Sequence, residues 1–446
     1  MAPHSLSRRR LLCCGAAAAA GLFTSLARAR APWINPCLSP LPEPLARHDL
    51  VLGAFEGLNP EALWDVHAHL LGTGGSGSGC SIHPAMNQWW HPVDVVRRHA
   101  ILNAACVGAD APSIDRAYVD RLLGHAAAFP AGARWLLFAF ERAHSGAGAP
   151  DAAGSTFHVP DRYAARVAAA NPDRFGWVAS IHPYAADALA RLNQAIDDGA
   201  LAIKWLPSAM NIDLRDPRCR PFYDRLAASR LPLVVHCGEE KAVPGAGRDE
   251  LGNPLHARAP LAQGVRVLMA HCASLGRALG LDRRSAPRVA AFDLFARLMD
   301  EPAHEQLLLG DISALLQVNR SAALQRRLIE RSDWHPRLLH GSDHPLPGIM
   351  PLYRTQRLVD AGLLDAVAAP VLDLIRAYNP LLFDFVLKRH VRSGGQRLAS
   401  VVFDTRRHFV RVAICSPGNI ATTGSGRRPR RHEQHARPPQ PVRAAA

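Results

Sequence analysis

Two histidines stand two residues apart in Trp64-Asp65-Val66-His67-Ala68-His69. On a β-strand, where side chains alternate with a period of two, that spacing points both imidazoles to one face, and together they can bind one ion. Alone the pair says little, because 22 histidines in 446 residues give about one such spacing by chance. Three further apolar runs also end in candidate ligands: Val234-Val235-His236-Cys237, Met269-Ala270-His271-Cys272, and His340-Gly341-Ser342-Asp343-His344-Pro345. Four strand ends carrying imidazoles and a carboxylate converge on one chemistry, a protein-held metal.

The elements that must position them alternate. Strand-like runs fall at 63–70, 101–107, 134–140, 175–182, 201–206, 231–236, 265–271, 307–312 and 337–343, with amphipathic segments such as 184–198 and 218–230 between most of them. Strands alternating with helices predict parallel βαβ units, and at least eight of them predict a closed (β/α)8 TIM barrel in one large α/β domain. Nine runs are one too many, so either 101–107 or 134–140 lies outside the barrel. Catalytic groups of such barrels gather at the C-terminal strand ends, where the candidate ligands fall. The Gly/Ser-rich loop 72–79 follows the first strand and is a candidate lid over that face. Trp89 and Trp90, in a long loop after it, are candidate pocket walls. Asn379-Pro380 followed by 381–391 reads as a terminal amphipathic helix.

On these residues the sequence resembles the amidohydrolase superfamily, in its amidohydrolase-2 branch of metal-dependent barrel hydrolases. The resemblance is carried by Asp65-Val66-His67-Ala68-His69, Ser180-Ile181-His182-Pro183, Ala202-Ile203-Lys204-Trp205-Leu206-Pro207, Pro232 to Gly238, Ala270-His271-Cys272 and Gly341-Ser342-Asp343-His344-Pro345, in family order over roughly residues 60–390. It implies His67, His69, His236 and Asp343 as metal ligands, with Lys204 a further, bridging ligand if carboxylated in a two-metal site. One Zn(II) or other divalent ion is expected and two are allowed. Neutral imidazoles and one carboxylate suit zinc and leave a position open for water, whose pKa the metal lowers toward ~7. Asp343 can then shuttle the proton, and His271 can polarise the scissile carbonyl or stabilise an oxyanion. His182 and Glu239 are weaker candidates for substrate contact, and His340 and His344 can orient Asp343. The expected activity is hydrolysis of an amide, ester or lactone of a small molecule. Decarboxylation of a small carboxylic acid, or a non-catalytic exported binding protein, is the alternative. A homodimer is compatible with the resemblance.

Composition agrees with a globular soluble protein: 48% hydrophobic and 20% charged residues leave no room for wholesale disorder. The net charge of +14 suggests a nucleic-acid partner until it is located. Residues 1–31 hold five Arg and no acid, and 415–446 hold six Arg and one Glu, so 32–414 carry only +4. No nucleic-acid partner is therefore expected. Ser7-Arg8-Arg9-Arg10-Leu11-Leu12, an Ala-rich stretch and Ala27-Arg28-Ala29 resemble a twin-arginine export signal, predicting a periplasmic mature protein without stable membrane insertion. The resulting plan is a signal at 1–29, a lead-in at 30–60, the barrel at 61–392, an extension at 393–414 and a basic tail at 415–446. Seven cysteines remain after the signal, an odd number with no C-x-x-C, so disulfides are expected to be incidental.

Overall fold

The computed structural model describes residues 33–243, 248–281 and 287–410. The export signal, the basic tail and Cys415 lie outside the described residues. Eight parallel strands form the centre: β1 (Trp64–His69), β2 (Arg134–Phe138), β3 (Phe175–Val178), β4 (Ile203–Trp205), β5 (Leu233–His236), β6 (Val267–Ala270), β7 (Leu308–Asp311) and β8 (Leu338–Leu339). β1 to β3 pair in sequence order, as do β4 to β8. Parallel bridges Ala179 to Ile203 and Ala68 to His344 join the two groups, and the Val66 N–H donates to the His340 carbonyl (3.0 Å). The eight strands thereby close a ring, the predicted (β/α)8 barrel.

Period-two alternation divides its core. Val66, Phe138, Val178, Val234, Leu268, Leu309 and Leu339 from seven of the strands, with Ala202 just before β4, form an inner cluster. Outward residues such as Leu137, Ile203, Val235 and Met269 instead join the larger cluster under the helices. Phe409, from the C-terminal extension, enters the inner cluster. Nearby, Thr405 Oγ1 donates to the Trp64 carbonyl (2.5 Å) and accepts from the Trp64 N–H (3.0 Å). The extension thus closes the end of the barrel opposite the candidate ligands.

The surplus ninth run is 101–107. It forms the last turn of helix α1 (Pro92–Ala104) and the residues just after it. Proline at the first helical position, followed by good helix formers such as Ala and Leu, outweighs the short apolar run. The amphipathic segments at 184–198 and 218–230 contain helices Ala188–Asp197 and Arg220–Ser229. The terminal helix is Pro380–His390, capped by Asn379 Oδ1 accepting from the Leu382 N–H (3.0 Å). Among the described residues no helix is long and apolar enough to cross a membrane.

Two features depart from expectation. Cys37 and Cys106 form a disulfide that ties the lead-in to the end of α1. Closing 69 residues of chain restricts the unfolded state by about 4 kcal/mol on the loop-entropy model. The loop at 72–79 is anchored rather than poised as a lid. Asp115, in the first turn of helix α2 (Ile114–Ala126), is fully buried. Its carboxylate accepts from the Thr73 N–H (2.5 Å), the Gly74 N–H (3.2 Å), Ser76 Oγ (3.0 Å) and Ser78 Oγ (2.5 Å). Burial alone would raise its pKa, but these donors, Ser78 foremost, hold it below the usual carboxylate value. Replacing Asp115 with Ala removes the acceptor of four donors, of which the Ser78 hydroxyl is buried. We expect a loss of about 2–4 kcal/mol in urea unfolding, with new protease cleavage in 72–79. Protection like that of the wild type would contradict the anchoring role.

Candidate metal centre

Strict alternation cannot place Val66 in the barrel interior and also turn His67 and His69 toward its mouth. The register of β1 on β2 shifts between Asp65 and Ala68, and this bulge reconciles the two. His69 Nε2 lies 3.0 Å and His67 Nε2 3.5 Å from Asp343 Oδ1. The three side chains form a group able to hold a metal ion. Asp343 arrives from the loop after β8 with φ of 60°, its N–H donating to the His67 carbonyl (2.8 Å). Gly341 permits that approach, since a Cβ there would lie 2.7 Å from His67 Cβ. From below, Lys388 Nζ donates to the Gly341 carbonyl (2.6 Å) and to Asp384 Oδ2 (2.5 Å).

Behind the histidines stands Asp311, at the end of β7 and fully buried. It accepts from His67 Nδ1 (2.9 Å), the His271 N–H (3.0 Å), the Ser313 N–H (3.0 Å) and Ser313 Oγ. Because ionised Asp311 can only accept, His67 carries its proton on Nδ1 and presents a lone pair at Nε2. That Nε2 is buried without a hydrogen-bond partner among the described residues. It confronts a carboxylate oxygen, so two acceptors face one another, and a cation between them resolves the conflict. Burial, with Lys204 and the neighbouring histidines, holds the His67 pKa well below its usual value. The residues thus fit a divalent ion.

The same network orients His271. His271, Cys272 and Ala273 are consecutive residues with φ near +50°. This left-handed turn carries strain, held by Asp311 accepting at the His271 N–H and by Cys272 Sγ donating to the Asp311 carbonyl (3.1 Å). Ser313 Oγ gives its proton to Asp311, so it accepts from His271 Nδ1 (2.7 Å). Burial, then His67, keeps the His271 pKa well below its usual value. Neutral His271 therefore offers an acceptor at Nε2, which suits a base or ligand better than the expected oxyanion donor.

These groups open into a cavity of about 310 Å³ lined by His67, His69, His236, His271, Lys204, Asp343, Glu239 and Arg320. His236, from β5, sits outside the tight group, with Nε2 buried and 3.4 Å from Glu240 Oε2, within ion-pair distance but without a hydrogen bond. Lys204 is fully buried on β4, its Nζ 5.0 Å over the Phe138 ring. Burial lowers its pKa, with Asp311 and Asp343 opposing. No hydrogen bond or ion pair to that Nζ is present among the described residues. Arg320 is buried as well and meets only neutral oxygens: Ser274 Oγ (3.1 Å), Gln317 Oε1 (2.7 Å) and Asn319 Oδ1 (2.6 Å). Glu239 lines the cavity but pairs with Lys241 (3.2 Å).

Other candidates fall away from the cavity. Trp89 and Trp90 are 82% and 58% exposed and pack edge-to-face on each other at 5.8 Å. Neither side chain lines this cavity. His182 stacks on His144 (4.0 Å) and its Nε2 donates to the Met210 carbonyl (2.8 Å), a structural role. His340 lies between Phe385 and Phe403, and His344 beside Tyr118 and His125; neither ring bonds Asp343. Sequence reasoning missed Asp311, Ser313 and Arg320. A lone acid closing the apolar run 307–312 was the available signal for Asp311.

A family model described as Amidohydrolase matches residues 64–369, and the chain belongs to that family, whose members are metal-dependent enzymes. No curated protein matches. Among solved structures, the chain is similar to an uncharacterized TIM-barrel protein from Bordetella bronchiseptica (17% identity, 67% of this chain and 99% of that one, TM-score 0.42). It is also similar to a putative 2-pyrone-4,6-dicarboxylic acid hydrolase from Pseudomonas putida (17%, 72% and 97%, 0.40) and a 2,6-dihydroxybenzoate decarboxylase from Rhizobium (15%, 67% and 98%, 0.35).

Replacing Asp311 with Asn should cut metal affinity 10–100-fold, roughly, by freeing the His67 tautomer. Undiminished affinity, measured by competition with a chelator, would contradict the assignment. Burial also depresses His182 and His344 to about 3, and His67, His271 and His340 well below the usual 6.5. Below pH 6.5 the unfolded chain takes up protons that these folded imidazoles refuse. Stability of the metal-free protein should therefore hold above pH 7 and fall as pH drops, by up to about 1.4 kcal/mol per pH unit per histidine. A flat urea midpoint from pH 8 to 5 would contradict this.

Proposed function

We propose that this enzyme hydrolyses an amide, ester or lactone bond in a small molecule that carries a carboxylate. One observation supports the reading most: proton acceptors and two cations without acidic partners line the same cavity. His67, His69, His236 and Asp343 are the residues that would hold a divalent ion, zinc in our reading. Such an ion supplies Lewis acidity toward a substrate oxygen and acidifies a water. Asp343 takes the proton of the attacking water and returns it to the leaving group. His271, neutral and with Nε2 open, is a second acceptor in reach of the same space. Lys204 and Arg320 lack carboxylate partners, and they bind and orient the substrate's anionic group within the cavity.

The same cations support a second reading, decarboxylation of a small carboxylic acid. There Lys204 and Arg320 hold a carboxylate beside the ligand set instead of remote from the scissile bond. The Cys37 to Cys106 disulfide supports export to an oxidising compartment, as the arginine-rich leader suggests.

Elemental analysis of untagged protein starting at Arg30 should find one metal per chain, lost in His67→Ala and retained in Lys204→Ala. Two metals, one dependent on Lys204, would establish a carboxylated bridge instead. Screening lactones, amides and carboxylic acids should then find turnover that Asp343→Asn reduces by about 10²–10⁴-fold. Arg320→Gln should raise KM for carboxylate substrates by roughly 30-fold or more. Full turnover by Asp343→Asn would overturn the mechanism, and an unchanged KM in Arg320→Gln would overturn the substrate class.

A further inference from the structure

A second cavity, of about 390 Å³, lies between helix α2, the start of the terminal helix and the lead-in, and shares no lining residue with the first. Leu41, Val51 and Leu382 supply apolar wall. Two polar side chains there carry buried nitrogens without a hydrogen-bond partner among the described residues. His125 is 3% exposed, yet neither ring nitrogen has a hydrogen-bond partner among the described residues. The Nε of Arg121 is likewise buried without a partner, and its Nη2 reaches only the Leu38 carbonyl (3.2 Å). No acidic side chain of the described residues pairs with this guanidinium, whose pKa is lowered by burial alone.

Arg121 is half-buried, with only its Nε fully enclosed, whereas the fully buried guanidinium of Arg376 is saturated. Arg376 donates to the carbonyls of Pro347 (2.7 Å), Ile349 (2.7 Å), Met350 (3.1 Å) and Tyr353 (3.0 Å). A half-buried arginine with an enclosed, unpartnered Nε and a buried histidine with both ring nitrogens unpartnered, in a mainly apolar cavity of small-molecule size, call for a partner from outside the chain. A planar guanidinium fork matches a carboxylate, and an imidazole N–H beside it supplies another donor. The disulfide at Cys37 and Cys106 fixes the lead-in close to where Ser39 and Leu41 form one wall. The His125 ring also packs edge-to-face on His344 (5.8 Å), the residue after Asp343.

We propose that this cavity is a second binding site, for a small carboxylate whose anionic end pairs with Arg121 and His125 while its apolar body lies against Leu41, Val51 and Leu382. The probe is 4-bromobenzoate, soaked into crystals of the mature protein and located by bromine anomalous scattering, with 4-bromobenzyl alcohol as its neutral match. We expect a bromine peak in this cavity with the acid, lost in Arg121→Gln, and binding in solution at least tenfold tighter than the alcohol's. Metal content should be unchanged in that variant, and a second peak near His67 would report the substrate cavity independently. Only water in the cavity, binding at crystal concentration only, or a peak that persists in Arg121→Gln would overturn the proposal. Equal binding of acid and alcohol by the wild type would overturn it without any variant.

Discussion

A buried carboxylate must find its donors within the protein, and Asp311 finds four: the His67 ring, the His271 backbone, and the backbone and hydroxyl of Ser313. Burying it unpaired would cost several kcal/mol, so each donor is held in place by that requirement. Two consequences shape the rest of the centre. The proton of His67 is fixed on Nδ1, which turns the Nε2 lone pair toward Asp343. The left-handed turn at His271 to Ala273 is braced, which sets that ring beside the same space. One charge at the end of β7 thus orients side chains delivered by β1 and β6.

The barrel makes this possible because its strands end together. Inner residues from Val66 to Leu339 fill the middle, and Phe409 joins them from the C-terminal extension. Polar groups are left to the opposite mouth. There, cations work from two directions. Lys388 and Arg376 grip the carbonyls of the segment after β8 from beneath and behind, while Lys204 and Arg320 face the cavity without acidic partners. The first pair completes local hydrogen bonding. The second leaves positive charge where a substrate can meet it.

Much of this was legible in the sequence, because period-two apolar runs ending in His67, His236, His271 and Asp343 report strands and their C-terminal ends directly. The surplus run 101–107 misled, since six or seven apolar residues fit a helix end as well as a strand. Asp311 was missed because its run resembles any core strand, and its role depends on two rings that are distant in sequence. Arg320 looks like an ordinary loop arginine until its burial is seen. Trp89, Trp90 and the loop at 72–79 failed for a related reason. A loop's composition shows that it is a loop, but not whether a carboxylate such as Asp115, some forty residues on, anchors it.

The account turns on His67 being presented to a metal by Asp311, with Asp311 itself outside the coordination shell. Anomalous scattering at the zinc edge, on crystals of the zinc-loaded protein, tests this most directly. The expected result is one peak, among His67 Nε2, His69, His236 and Asp343. A peak between Asp311 and His271, or none near His67 at full loading, would contradict it.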